Sequence, residues 1–197
     1  MSQLATIIGP EMHGQRMRLE EFEHAVVREG CLYELSRGVI QVSEVPHDRH
    51  GAQIDEARAQ FYAHRRARPG KVHRIASGDA CKIPVPNTDS ERHPDIAIYL
   101  TPRPDVKNYW RVWIPAVVIE VVSASSDYHD YVEKREDYLA FGVSEYWIID
   151  HAKQQMLALQ RTGGQWVEKI VEPGETCTTH VLQDLSFDLA AVFAAVV

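Results

Sequence analysis

One stretch restricts the fold of this chain more than any other: residues 116–122 read Ala-Val-Val-Ile-Glu-Val-Val. An unbroken apolar run rich in β-branched side chains suits a central strand covered on both faces, not a half-solvated strand with alternating character. The run also carries a charge. A carboxylate at Glu120 with no partner would cost several kcal/mol, so it must be neutralised, paired or bound to a metal. The structural alternative is a glutamate at the open end of the strand, paired with an arginine.

The segments around this strand alternate. The chain has 197 residues, 45% apolar and 25% charged, which suits one domain spanning 1–197. A helix is expected over about 16–29, closed by Gly30, and a β-hairpin over 33–36 and 39–43 with its turn at Arg37 and Gly38. A long helix over about 50–68 has Ile54, Ala57 and Phe61 on its apolar side and stops at Pro69-Gly70. Strands follow at 72–76 and 80–85, then at 96–100 and, after a loop at 101–113 rich in proline and aromatics, at 116–122. A helix over 128–141, ending at Gly142, leads directly into a strand at 145–149. That strand–helix–strand unit with short joints implies a right-handed crossover between parallel strands. Two further strands, 155–160 and 165–171, and a helix over about 188–196 complete the chain. The expected class is α/β, with a mixed, partly parallel central sheet flanked by helices; the helices at 16–29 and 188–196 are appendages.

Residues 1–14 lack a basic start followed by an apolar run, and the apolar stretch 189–197 is far below the ~20 residues that cross a bilayer. Cys31, Cys81 and Cys177 are odd in number and widely spaced, without a CxxC pair, so a disulfide framework and a thiolate zinc site are both excluded. A soluble, cytoplasmic protein with free thiols is expected. The formal charge of −7 argues against non-specific coating of nucleic acid but not against a local basic surface. Arg58, Arg65, Arg66, Arg68, Lys71 and Arg74 fall in a stretch without acids, either a phosphate-facing patch or a solvated helix end.

Two more charges join Glu120. Asp95 follows Pro94 and opens the strand at 96–100; alone it reads as a turn or capping aspartate, but a neighbouring strand brings it within reach of a cation shared with Glu120. Pro104-Asp105 competes for the role, followed by a poorer strand. Lys134 lies in the stripe Tyr131, Lys134, Tyr138 and Phe141, at i, i+3, i+7 and i+10 of the helix 128–141. It either snorkels out of that stripe or reaches an anionic site at the C-terminal edge of the Glu120 strand, where α/β sheets tend to place sites. Two carboxylates and a lysine suit phosphodiester hydrolysis with Mg²⁺, which takes few carboxylate oxygens and keeps several waters. His50 extends the Ile54–Ala57–Phe61 stripe by one turn and faces the sheet, as a satisfied core histidine or a group that positions water or supports a metal. Glu34, between Tyr33 and Leu35, faces either the same cleft or solvent.

Pro94-Asp95 followed by Glu120-Val121-Val122 resembles the PD-(D/E)XK nuclease superfamily, and more closely its bacterial restriction-endonuclease-like branch. The resemblance covers most of the chain. It takes in residues 17–22, Tyr33-Glu34-Leu35, His50-Gly51, residues 94–98 and 118–123, Lys134, Tyr138, Gly142-Val143 and residues 145–150, the string from Glu120 to Asp150 being the specific part. It implies a restriction-endonuclease-like core in which Asp95, Glu120 and the Val121 carbonyl hold Mg²⁺ or Mn²⁺. DNA is the implied substrate, and a homodimer the simplest way to cut both strands. The superfamily's lysine would stand two residues after the glutamate, where this chain has Val122; Lys134 on the following helix takes its place. No Gly-rich phosphate loop, HExxH or GxSxG is present. Ser123, Ser125 and Ser126 suit the strand-to-helix turn, with Ser126 or Asp127 as helix cap. The competing reading is a nuclease fold kept as an inert DNA-binding or protein-interaction module.

Overall fold

In the computed structural model, the described residues are 5–44, 48–123, 126, 128–175 and 177–195. The apolar run forms the strand Val117–Val121, and all five of its residues are buried. It lies inside a six-stranded sheet with the order Gln165–Val171, Gln155–Thr162, Glu145–Asp150, Val117–Val121, Ile96–Tyr99, Arg74–Ala76. Val117–Val121 and Glu145–Asp150 pair in parallel, as the strand–helix–strand unit requires, and the other pairs in this sheet are antiparallel.

Both faces of the central strand are covered. Val117, Ile119 and Val121 face the helix Asp48–Ala67, through Ala57 and Phe61, and the C-terminal helix Leu189–Ala194. Val118 faces the other way, into a cluster with Tyr99, Tyr138, Tyr146 and Ile148 under the helix Lys134–Phe141. Gly142 ends that helix with φ at 97°, the left-handed conformation a glycine adopts without penalty. A second, four-stranded antiparallel sheet, in the order Val39–Glu44, Cys31–Ser36, Ser90–Arg92, Ile83–Val85, packs on this same side. Its hairpin turns at Arg37 and Gly38, both at positive φ, the twist that suits a two-residue connection.

Two expectations need correction. The helix expected over 16–29 is a single turn, Leu19–Phe22, after which Val26–Val27 pairs in parallel with Ile7–Ile8. Two adjacent β-branched valines favour the extended chain, and the short sheet takes up their backbone groups. The segment after residue 85 holds the strand Ser90–Arg92, unforeseen because Ser-Glu-Arg has no apolar pattern. Cys177–Thr178 and Ser186–Phe187, a short antiparallel pair, were likewise not expected, whereas the C-terminal helix, the long helix and the remaining strands lie within a few residues of their expected places.

Candidate active site

The antiparallel register pairs Ile96 with Ile119, so the next residues outward, Asp95 and Glu120, stand opposite each other and point to the same face. The Asp95 N–H donates to Glu120 Oε2 at 3.3 Å, and the Val121 N–H donates to Asp95 Oδ2 at 2.8 Å. Glu120 is 2% exposed. Its partners are not arginine: the Tyr138 hydroxyl donates to Oε1, and Lys134 Nζ lies 3.1 Å from that same oxygen. The sequence pattern therefore brings Asp95, Glu120 and Lys134 together. Asp105, the competing aspartate, is exposed in the loop.

The supporting residues converge as well. Glu34 turns into the cleft, 3.8 Å from Lys134 Nζ, and accepts the His93 N–H at 2.8 Å. His50, at the start of the helix on the opposite face, reaches around the strand end and places Nε2 3.3 Å from Asp95 Oδ2. It belongs to the site's edge, not to the apolar core. The cleft has a volume of about 1260 Å³ and opens between the hairpin sheet and the end of the central strand. The basic segment lies elsewhere. Arg65 is fifteen residues beyond His50 on one helix, roughly 22 Å at 1.5 Å per residue, and several of its charges are used locally, as in Arg68 with Asp184 at 3.2 Å and Arg74 donating to the Ala80 carbonyl.

Two site residues escaped the sequence reading. Arg92, fully buried on the strand Ser90–Arg92, pairs with Asp137 at 2.8 Å, donates to the Ser36 hydroxyl oxygen at 2.7 Å, and stands 3.6 Å from Glu34. A buried arginine between two elements leaves no periodic signal. Asp130, 1% exposed, places Oδ1 3.0 Å from Lys134 Nζ. Its hint is the i, i+4 spacing to Lys134. Ser126 also serves this segment: its carbonyl accepts the Asp130 N–H at 2.9 Å and its hydroxyl donates to Asp130 Oδ2. Ser125 and Asp127 lie outside the described residues.

Charge is unevenly balanced here. Burial drives the Glu120 carboxyl well above its ordinary pKa; Lys134 opposes, and Asp95, Asp130 and Glu34 add to the rise. Burial raises Asp130 too, against the pull of Lys134. For Glu34, burial is outweighed by Lys134, Arg92 and the His93 N–H, and the carboxyl stays below its usual range. Burial works against the Lys134 ammonium, but Asp130, Glu120, Glu34 and Asp95 overcome it and hold the pKa well above that of an ordinary lysine. Burial likewise opposes charge on His50, and Asp95 with the Val121 backbone outweighs it, so the imidazole is raised.

This donor set fits a hard divalent cation: two carboxylates on adjacent strands, with excess negative charge in a buried cleft. Among the described residues no three His, Cys, Asp or Glu side chains form a ready cage. An ion here would be held by Asp95, Glu120 and the Val121 carbonyl and would retain waters, the habit of Mg²⁺.

A mixed sheet with opposed carboxylates at the end of its central strand and a lysine on the next helix defines a protein of the restriction-endonuclease-like class. The family model Uma2, described as "Putative restriction endonuclease", matches residues 19–190, and the chain belongs to that family. Its fold is similar to the crystal structure of a protein titled as a putative nuclease belonging to DUF820 from Anabaena variabilis ATCC 29413. The TM-score is 0.73 at 18% identity, over 92% of this chain and 99% of that one. No functionally curated protein matches.

Proposed function

We propose that this chain is a metal-dependent endonuclease that hydrolyses DNA phosphodiester bonds, with Asp95 and Glu120 as ligands of Mg²⁺ or Mn²⁺ and Lys134 as the cationic partner. One observation carries the reading: Lys134 Nζ lies 3.1 Å from a buried glutamate that stands opposite Asp95 on the neighbouring strand. When bound, the ion would lower the pKa of an attacking water and offset charge developing on phosphorus.

The protein's own groups have distinct tasks. An ammonium held as firmly protonated as Lys134 serves as hydrogen-bond donor and fixed charge, not as a base; it would orient the attacking water or a phosphate oxygen. Tyr138 fixes Glu120 Oε1, and His50 lies against Asp95. Glu34, held by the His93 N–H and near Arg92, supports Lys134 from the hairpin side. In a chain of net charge −7, affinity for DNA would come from local cations such as Arg49, which lines the cleft. We further propose a cytoplasmic setting, in keeping with three free thiols, and a two-fold dimer for cutting both strands.

The test is cleavage of supercoiled, linear and single-stranded DNA with Mg²⁺, Mn²⁺ or EDTA, comparing wild type with Glu120→Gln and Lys134→Ala. Metal-dependent cutting is expected, with each variant slowed by roughly 10²-fold or more, the scale of losing a preorganised charge. No cutting by folded wild-type protein with either metal would refute the enzyme and leave the inert nuclease-fold module.

A further inference from the structure

The helix that carries Lys134 contains an irregular turn. Over His129–Glu133 the chain makes one π-turn, and the Lys134 N–H donates to the His129 carbonyl five residues back. One inserted residue rotates everything upstream by about 100° relative to a continuous α-helix. In an unbroken helix Tyr131 would share a face with Lys134 and Tyr138. So would Asp130, at i−4; with the insertion Asp130 stays beside Lys134 and is buried, while Tyr131 leaves that face and its hydroxyl donates to Asp150 at 2.9 Å.

Asp130 is then fixed from several directions. Ser126 accepts its N–H and donates to its Oδ2, and the fully buried Tyr146 hydroxyl donates to its carbonyl at 2.9 Å. With Oδ2 held by Ser126, Oδ1 is left to Lys134. Burying a carboxylate in this way costs several kcal/mol unless a cation answers it, and π-turns recur where a side chain must be re-aimed at a functional site.

We propose that Asp130 is the positioning residue of the site, holding the Lys134 ammonium in the cleft when Glu120 is engaged elsewhere. This rests on the reading of Lys134 as the site's cation. Lys134 has two anchors of nearly equal length, Asp130 at 3.0 Å and Glu120 at 3.1 Å, with Glu34 a third at 3.8 Å. A cation ligated by Glu120 would compete for the oxygen that Lys134 contacts and repel its ammonium. Asp130 faces that ammonium from the lysine's own helix, so it keeps its hold when Glu120 is withdrawn. Without it, a four-carbon side chain is free to swing toward solvent.

The experiment follows the Lys134 ammonium directly, by ¹H–¹⁵N correlation in lysine-labelled protein, the resonance being assigned by its loss in Lys134→Met. Glu120→Gln stands in for a withdrawn Glu120, so no metal is needed. The resonance should persist in Glu120→Gln, broaden at least threefold or vanish in Glu120→Gln/Asp130→Asn, and return in Glu120→Gln/Asp130→Glu. Ser126→Ala in the Glu120→Gln background, a milder change that leaves the carboxylate in place, should give partial broadening. A resonance lost in Glu120→Gln alone, or unmoved in both the Asp130→Asn and Ser126→Ala combinations, would overturn the proposal. Mg²⁺ calorimetry on Asp130→Asn adds a second readout: affinity within threefold of wild type is expected, and a fall as steep as that of Asp95→Asn would make Asp130 a ligand instead. Absence of Mg²⁺ binding by wild type would count against the nuclease reading, while the resonance pattern would still decide the role of Asp130.

Discussion

Replacing Lys134 by methionine keeps most of the stem's volume and removes the charge, so its effect reports on the carboxylates around it. Three of them, Asp130, Glu120 and Glu34, lie 3.0, 3.1 and 3.8 Å from Nζ, and the lysine is 8% exposed. Breaking a buried pair by removing one partner costs about 3–5 kcal/mol, a large share of a total stability of roughly 5–15 kcal/mol. For a chain of this size each kcal/mol moves Tm by about 2–4 °C, so a fall of roughly 6–20 °C is expected in EDTA at pH 7. The loss has a pH signature. Lys134 is raised, so its own contribution is complete below the ordinary lysine pKa and is lost only as pH rises through the higher folded value. Glu34 is lowered, so its contribution is present above its ordinary value of 4.5 and lost as pH falls through the folded one. The gap between wild type and Lys134→Met should therefore be wide at pH 7–9 and shrink toward pH 4. Glu120 and Asp130, raised by burial even with the lysine present, rise further without it, so the variant takes up protons on folding near neutrality. Urea or calorimetric melts at pH 4, 7 and 9 measure this. A gap under about 1 kcal/mol at pH 7, well below the buried-pair range, or one that does not narrow toward pH 4, would refute the view that Lys134 holds these carboxylates together.

Other outcomes follow from the same structure. Asp95→Asn should weaken Mg²⁺ binding at least tenfold by calorimetry; unchanged affinity would remove Asp95 from the ligand set. Phe61, fully buried and in ring contact with Trp147 and Phe187 at 5.9 and 5.8 Å, should cost about 3–5 kcal/mol as alanine in a urea melt, while Mg²⁺ affinity of the folded variant stays unchanged. Gly142→Ala forces a Cβ into a residue at φ 97° and sets it 3.4 Å from Ile114 Cδ1, so thermal melting should register a loss of about 1–2 kcal/mol. Burial pushes the Cys81 thiol up to about 12 and Cys177 up to about 11; with iodoacetamide at pH 8, mass spectrometry should find the half-buried Cys31 modified in native protein and the other two only after unfolding.

What could be read in the sequence, and what could not, divides along a physical line. Val117–Val121 was legible because a buried strand must be apolar throughout, and Glu120 because a charge breaks that rule. Asp95 was legible because it opens a better strand than Asp105 does, while the antiparallel register that sets it opposite Glu120 emerges only in the fold. Lys134 followed from helical spacing, and the same spacing failed four residues earlier. The stripe assumes a constant 100° per residue through His129–Glu133, where one inserted residue breaks it, so Tyr131 leaves the face expected for it and Asp130 stays beside Lys134. Arg92 was hidden for a different reason: its strand is built of polar residues whose burial is made tolerable by Asp137, Ser36 and Lys82, partners remote in sequence or on another element. Periodicity reports what a segment does alone, whereas the π-turn and the buried arginine depend on what packs against them. The single turn at Leu19–Phe22 is the same case in the opposite direction, because Val26 and Val27 become a strand only when Ile7 and Ile8 are there to pair with them. The residues most exposed to this failure are those that join one element to another, and in this chain they surround the ammonium of Lys134. A second layer of charged residues behind Asp95 and Glu120 is thus what a strand-and-stripe reading is bound to miss, and where substitutions should separate metal binding from the placement of the lysine.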